Sequence, residues 1–480
     1  PDARRASNAT ICTSPRSIMT IASLLLEEPT GGSPTGQGDW SLVVEILLPV
    51  PSADAGIWGV GTWGTSKWSV LSWVDITDKV RGISWTRGSD EVYGRPRVGG
   101  ISLTLDNRDG TLDPWTADAA QFYAPGTILR AGLISPTGIN DPYYGVRTWI
   151  PQWTGIVEMW APQIVAAQLD GLDAADRYIE VELAETLRDL AQVDEVALAV
   201  PVGAGERAED RFERLLLAAN WRYGTLISAQ NVQLPTVYTL QATDMDENRL
   251  AELYLTADSS DSQFRTLRDG RAGVTASEYA GTTLSISVDA FPLVLVSWVD
   301  IGTTGSVRRL SEFYLDREDS TASTSNRSTV TVAFRPETFR SMSQDTEISN
   351  DVIFSAVGRT PQQFEQLNSI ARFGRRSYVR SDLLNNDDVY PALFAQYTSI
   401  RRALSTLRIE AVTVDTWARP LPQFLATVCA EPGDRAYVKN PIGSGTRGEI
   451  VGFVAQVTNR VTPGVSGASI VWETDIRVDT

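Results

Sequence analysis

The stretch GGISLTLDNRDGTLDP, residues 99–114, decides the fold class. Ile101, Leu103 and Leu105 alternate with Ser102 and Thr104, the two-residue period of a strand that buries one face. Asn107-Arg-Asp-Gly110 stops that strand and is expected to close a hairpin, with Gly110 in a left-handed backbone. Outward from it the texture repeats. WSLVVEILLPV (40–50), VDITDKV (74–80), GISWTRG (82–88), TILRAGLI (127–134) and WTGIVEMW (153–160) are short β-branched or alternating runs. Strands this short and this closely spaced predict a sandwich or barrel.

The middle of the chain changes period. EDRFERLLLAANW (209–221) puts Phe212, Leu215, Leu216 and Ala219 on one helical face. DENRLAELYLTADS (246–259) repeats that pattern, with Asp246 or Thr243 as its cap. FRTLRDGRAGV (264–274) reads as a hairpin through Asp269-Gly270. YIEVELAETLRDLAQ (178–192) starts as strand and continues as helix. Strands return at TLSISVDA (283–290), PLVLVSWVDI (292–301) and STVTVAF (328–334). Residues 361–408 read as largely helical, with Pro391 marking either a break or a first helical turn. From Arg408 the pattern is β again, in LRIEAVTVD, RAYVKN, EIVGFVAQVTNRV and SIVWETDIRV.

The expected fold is therefore mainly β with α+β insertions: two β-barrel-like domains plus a helical middle region. The division is a flexible extension and linker at 1–39, an N-terminal β-barrel-like domain at 40–165, an α+β middle domain at 166–285, a second β segment at 286–345, a helical segment at 346–410 and a C-terminal β-barrel-like segment at 411–480. Ser72-Trp-Val-Asp-Ile76 reappears as Ser297-Trp-Val-Asp-Ile301, each followed by Val-Arg. The echo is either chance or the trace of a duplicated β domain.

Composition removes several function classes. The 480 residues carry 42 Lys and Arg against 59 Asp and Glu, a net charge of −17. Such a balance opposes a grip on phosphate but suits a wall past which a duplex can slide. Only Lys67, Lys79 and Lys439 are lysines, the rest of the basic residues being Arg, as a GC-rich genome would give. No His is present, which removes His-based acid–base catalysis, Ser-His-Asp and Cys-His sites and His-ligated zinc. Cys12 and Cys429 alone cannot form a thiolate metal site, and Cys429 is expected as a buried thiol. No run of 18 apolar residues predicts a membrane-spanning helix. Ile18–Leu26 faintly resembles a signal peptide but runs into Glu27-Glu28-Pro29 without a cleavage site, and Met19 is a candidate start.

No local constellation points to chemistry. The 105–114 segment fails as a calcium loop, because counting back from Gly110 puts Leu105 where an oxygen ligand is needed. Gly59–Gly64 lacks the Lys of a phosphate loop. Glu180 and Glu182 share the wet face of a strand, and Asp387-Asp388 sits at a helix start. Trp58, Trp63, Trp68 and Trp73, at a five-residue spacing, either stack sugars or cover a β surface or subunit contact. The basic island Arg372 to Arg376 with Arg380 reads as a solvated face or a salt-bridged subunit contact. No catalytic residue, metal or cofactor is expected.

Taken in order, WVDITDKVR (73–81), ISWTRG (83–88) and the run from Gly99 through LTLDNRDGTLDP resemble the N-terminal region of minor tail or hub proteins of long-tailed phages of high-GC Gram-positive hosts. Trp73, Asp75, Leu105, Asn107, Asp109, Gly110, Asp113 and Pro114 carry that motif. LQATDMDENRLAELYLTADS (240–259), IARFGRRSYV (370–379) and the C-terminal EPGDRAYVKN, EIVGFVAQVTNRVTP and WETDIRV extend the resemblance over most of 56–480. It implies a relative of contractile-tail baseplate hubs: a homotrimer at the tail tip, made in the bacterial host cytoplasm, adapting a six-fold tube to a three-fold tip and forming a DNA exit channel. Implied partners are a distal tail protein, a tape measure protein and tail fibre or spike proteins. The alternatives are a hexameric distal tail protein, a carbohydrate-binding receptor protein using the Trp ladder, and a tail-associated cell-wall hydrolase.

Overall fold

The alternation in ISLTLD is realised as a strand whose Ile101, Leu103 and Leu105 are buried and whose Ser102 and Thr104 are not. A computed structural model describes residues 41–50, 70–89, 95, 97–115, 123–141, 145–165, 176–192, 201–223, 225–226, 239–243, 248–260, 262–276, 294–297, 300–301, 307–308, 311–315, 332–333, 338–343, 348–404, 407–417, 424, 427–428, 430, 432, 435–439, 449–462 and 470–479. The Trp58, Trp63 and Trp68 ladder, Cys12, Cys429, TLSISVDA and the extension at 1–39 lie outside the described residues.

Seven strands form the first β unit: β1 (Ser41–Val50), β2 (Val70–Asp75), β3 (Val80–Gly88), β4 (Gly100–Asp106), β5 (Ile128–Asp141), β6 (Gly145–Val165) and β7 (Asp176–Glu185). They pair antiparallel in the order β2-β1-β5-β6-β7-β4-β3. The expected hairpin at Asn107–Gly110 is not what forms. β4 pairs with β3 and β7, and the next strand, β5, joins β1 and β6 instead. The turn does put Gly110 at φ +72, but it then sends Leu112 into the core rather than reversing the strand. Packing of Leu112 thus wins over hairpin closure.

A middle unit follows. It holds α1 (Leu187–Ala191), α2 (Ala208–Ala218), β8 (Thr225–Leu226), α3 (Arg249–Ser259), β9 (Ser262–Thr266) and β10 (Ala272–Ala276). Phe212, Leu215 and Leu216 are buried as the helical period requires, and Phe212 stacks on Phe264 at 5.6 Å. Asn248, not Asp246 or Thr243, caps α3, its side chain accepting the Ala251 N–H at 2.9 Å. The β9–β10 hairpin turns through Asp269-Gly270 as the sequence predicts, with Gly270 at φ +84.

The second β region holds β11 (Val294–Ser297), β12 (Asp300–Ile301), β13 (Val307–Arg308), β14 (Ser311–Leu315), β15 (Val332–Ala333) and β16 (Thr338–Ser343). The two SWVDI copies pair differently: β2 lies along β1, whereas β12 pairs with β13. Then comes a small α/β unit of β17 (Asp351–Ala356), β18 (Gln362–Glu365), α4 (Leu367–Phe373), β19 (Ser377–Leu383) and α5 (Val389–Arg401). Residues 361–408 are thus only partly helical. Gln362–Glu365 pairs with β17, because Phe364 packs onto the Val352–Phe354 core, and β19 runs parallel to β17 after the α4 crossover. Pro391 lies in the first turn of α5, where its missing N–H costs nothing.

The chain ends in β20 (Leu407–Asp415), β21 (Arg435–Lys439), β22 (Glu449–Thr462) and β23 (Val471–Asp479). β22 joins the two β regions. Along one edge its first half, Glu449–Phe453, pairs with β21, and its second half, Gln456–Val461, pairs with β3. Along the other edge it pairs with β23, which leads to β20 and β16. β21 leads on to β14, β11 and β15. Among the described residues fifteen strands share this sheet, and the fold is mainly β with helical insertions.

The core follows the same logic. Trp417, Phe424, Val461 and Trp472 from the C-terminal segment are buried together with Leu42, Trp85, Leu103 and Val181. Trp472 meets Trp85 edge-on at 5.7 Å and stacks on Trp417 at 6.3 Å. Buried Asn459 of β22 accepts hydrogen bonds from Trp472 Nε1 at 2.9 Å and Thr474 Oγ1 at 2.7 Å. Where the edge passes from β21 to β3, Gly88 sits at φ +109 and a Cβ there would lie 2.0 Å from the Ala455 carbonyl oxygen. Gly88→Ala is expected to lower stability by at least about 1–3 kcal/mol from backbone strain alone. Urea midpoints of the variant and the parent chain measure it, and an unchanged midpoint contradicts the tight crossing.

Candidate functional site

The motif residues gather at one end of the first β unit. β4 delivers Asp106 and the buried Asn107, whose side chain organises the turn after it. Asn107 Oδ1 accepts the Leu112 N–H at 2.9 Å, and its Nδ2 donates to Asp113 Oδ1 at 2.7 Å. Leu105 and Leu112 fill the core below, and the Leu112 carbonyl accepts from Trp160 Nε1 at 3.2 Å. Pro114 ends the turn, following Asp113. Asp75 lies on the strand opposite, where its Oδ1 accepts from the Thr77 N–H at 2.9 Å and fixes the turn into β3.

Ion pairs tie these turns together. Lys79 Nζ reaches Asp109 Oδ2 at 2.5 Å. Arg81 donates to both Asp176 carboxylate oxygens, at 2.8 and 2.7 Å, and to Asp106 at 3.1 Å. The hydrogen bond from Lys79 holds the Asp109 carboxyl down at about 2, against the opposing effect of desolvation. Burial pushes Asp106 up, but hydrogen bonds from Arg108 and then Arg81 prevail and leave it lowered. Asp176 is lowered first by Arg81. Elsewhere burial pushes Glu206, Asp351 and Asp382 up, and hydrogen bonds outweigh it and leave all three lowered. The donors are Arg214 and Arg211 for Glu206, Ser377, Gln363 and Arg375 for Asp351, and Arg380 for Asp382. A general acid at neutral pH needs the opposite shift. Among the described residues no group of three His, Cys, Asp or Glu could hold a metal ion.

Sequence reasoning missed two buried ion pairs. Glu45 of β1 and Arg130 of β5 are direct cross-strand partners, 2.8 Å apart from Arg130 Nε, and both are almost fully buried. Trp73 of the motif covers this pair, its ring 4.1 Å from the Arg130 guanidinium carbon, with Trp149 at 5.4 Å on the same group. The signal was present: each is a lone charge inside an apolar strand, in LVVEILL and ILRAGLI. A second buried pair, Arg87 with Glu185 at 2.8 Å, holds the middle unit, because Arg87 also donates to the Thr266 carbonyl at 2.6 Å. Thr186 Oγ1 to the Gly270 carbonyl at 2.7 Å seats the β9–β10 turn on the first unit.

The basic island is salt-bridged within the chain. Arg375 pairs with Glu365 and Asp351, and Arg380 with Asp258 and Asp382. Glu182 is on the wet face as expected, whereas Glu180 is half-buried, and Asp387 Oδ1 accepts the Val389 N–H at the start of α5. Among the described residues no helix is long and apolar enough to cross a membrane.

No family model matches this chain, and no curated protein does. Solved structures do. The 43 kDa tail protein of prophage MuSo2 from Shewanella oneidensis is similar at 11% identity and a TM-score of 0.47, over 91% of this chain and 96% of that one. The tail protein from Neisseria meningitidis MC58 is similar at 11% identity and a TM-score of 0.48, over 92% and 96%. The Francisella PdpA-VgrG complex is similar at 9% identity and a TM-score of 0.41, over 92% of this chain and 53% of that one.

Two outcomes are expected from this geometry. Arg130→Met leaves Glu45 buried without its partner and should cost about 3–5 kcal/mol, while Glu45→Met combined with Arg130→Met should cost less than that single change. Chemical denaturation of the two variants tests this. Asp109, with a lowered folded pKa, contributes stability above its unfolded value near 3.8 and loses it as pH falls through about 2. Lys79→Met should move its NMR titration up toward 3.8, and a midpoint that stays at about 2 contradicts the pairing.

Proposed function

We propose that this chain is a structural hub of a phage tail tip, without catalytic activity and without a cofactor. The observation that carries the reading is the divided edge of β22, which makes an N-terminal and a C-terminal β region two parts of one sheet. Three such chains offer six β units around an axis. A ring of that kind can sit on a six-fold tube and present three-fold symmetry to a spike or fibre. The ordered motif from Trp73 to Pro114 supports the same reading, as does its geometry. Acids of the motif are engaged locally, Asp109 by Lys79, Asp106 by Arg81 and Arg108, and Asp75 and Asp113 by turn hydrogen bonds, which suits a scaffold.

In this reading the homotrimer meets a distal tail protein, a tape measure protein and fibre or spike proteins, and resides in the virion. The net charge of −17 suits a channel through which DNA passes without adhering. The channel is closed before infection and opens on genome ejection.

The mass of the purified chain by light scattering, with particle images of the same fraction, tests the proposal. A three-chain ring is the expected result. A six-chain ring would favour the distal tail protein, and a ring whose bore is already duplex-wide would overturn the gating. A monomer active on a glycan array or on host cell wall would favour a receptor protein or a hydrolase.

A further inference from the structure

Helix α5 carries apolar residues on two sides: Tyr390 is buried, and Phe394 and Ala395 pack on the core of the α/β unit. Pro391, Ala395, Thr398 and Ser399 are buried toward β17 and β18, as an amphipathic helix requires. On the opposite side Val389 is 55% exposed, Leu393 54%, Ile400 59%, and Leu404, just past the helix end, 56%. Gln396 is exposed between them. At 3.6 residues per turn, Val389, Leu393, Gln396 and Ile400 fall within an arc of about 60°, along roughly 16 Å of helix. Their spacing of four, three and four is the seam of a helix that packs against another helix. The stripe holds no charged residue in a chain that is 21% charged.

The sequence of the stripe says which helix fits it. Read from its centre at Gln396, it is nearly the same in both directions: Leu393 and Val389 on one side, Ile400 and Leu404 on the other. A two-fold axis at the centre sets Leu393 against Ile400 of the partner subunit. It also leaves the two Gln396 side chains beside the axis, half a residue from it, within reach of each other, and an amide both donates and accepts. The ends match as well. Asp387 and Asp388 precede the helix and Arg402 follows it, so an antiparallel pair puts acid beside base and opposes the helix dipoles. A parallel pair would put like charges together.

We infer that the exposed face of α5 is a self-complementary contact that joins two copies of this chain antiparallel about a two-fold axis. The contact is distinct from the ring proposed above and joins two rings, or two free chains, through their α/β units. A helix pair of this length buries less than the about 1,200 Å² of a standard interface, so the association depends on concentration.

Cysteine cross-linking in full-length chain carrying Cys12→Ser and Cys429→Ser tests it. Gln396→Cys should cross-link to itself under mild oxidation. Leu393→Cys and Ile400→Cys should cross-link only when mixed. Self-cross-linking of each alone would show a parallel contact and overturn the inference, as would no cross-linking in any of the three. In sedimentation, Leu393→Glu or Ile400→Glu should weaken the association at least ten-fold with an unchanged thermal midpoint, since both side chains are exposed. Unchanged association would contradict the contact. The same variants separate this inference from the hub reading: a back-to-back pair of three-chain rings falls to three chains, whereas a true six-chain ring stays intact.

Discussion

One strand carries two obligations, and the architecture depends on it. β22 must pair with β21 along its first half and with β3 along its second half, on a single edge, while β23 runs along the other. The handover falls at Ala455. The register against β23 shifts there, and the Ala455 carbonyl accepts the Ser89 N–H at 2.9 Å where β3 ends. A bulge of this kind bends a strand and re-aims it. Gly88 supplies the room, because a side chain at that point would meet the Ala455 carbonyl.

Polar groups then lock what the sheet brings together. Asn459 is buried opposite its cross-strand partner Trp85, yet its carbonyl oxygen is satisfied twice by β23. Arg87 and Glu185 are buried where the first unit meets the β9–β10 hairpin, and Arg268 reaches the Val428 carbonyl from the same hairpin at 3.3 Å. Buried charges of this sort add little net energy over an apolar core, but removing one partner of such a pair is costly. They tie the first unit to the middle unit, and the middle unit to the C-terminal segment.

Local periodicity makes the strands and helices legible, and it fails where the partner is distant. Ile101, Leu103 and Leu105 announce β4, and Phe212, Leu215 and Leu216 announce α2, because each pattern depends on one buried face. The turn after β4 has the hairpin chemistry of NRDG without forming a hairpin. The residue that decides its course, Leu112, answers to a core built from six other strands and the C-terminal segment. Gln362–Glu365 carries a helical pattern but forms a strand, since its pairing with β17 leaves no mark on four residues of sequence. The motif from Trp73 to Pro114 is legible as a set, and the structure gathers it around two networks, the ion pairs of Lys79 and Arg81 and the buried Glu45–Arg130 pair. That second network is readable only as two isolated charges, since nothing in the sequence states that β1 and β5 are neighbours.

Native-state hydrogen exchange at low denaturant tests the union of the two chain regions most directly. Amides of Ile83–Gly88 in β3 and of Gln456–Val461 in β22, 368 or more residues apart in sequence, share hydrogen bonds across one ladder. They should open together, with one free energy and one denaturant dependence. If β22 exchanged at low denaturant while β3 kept its full protection, the first β unit would be complete without the C-terminal strands, and the dependence of the architecture on β22 would be refuted.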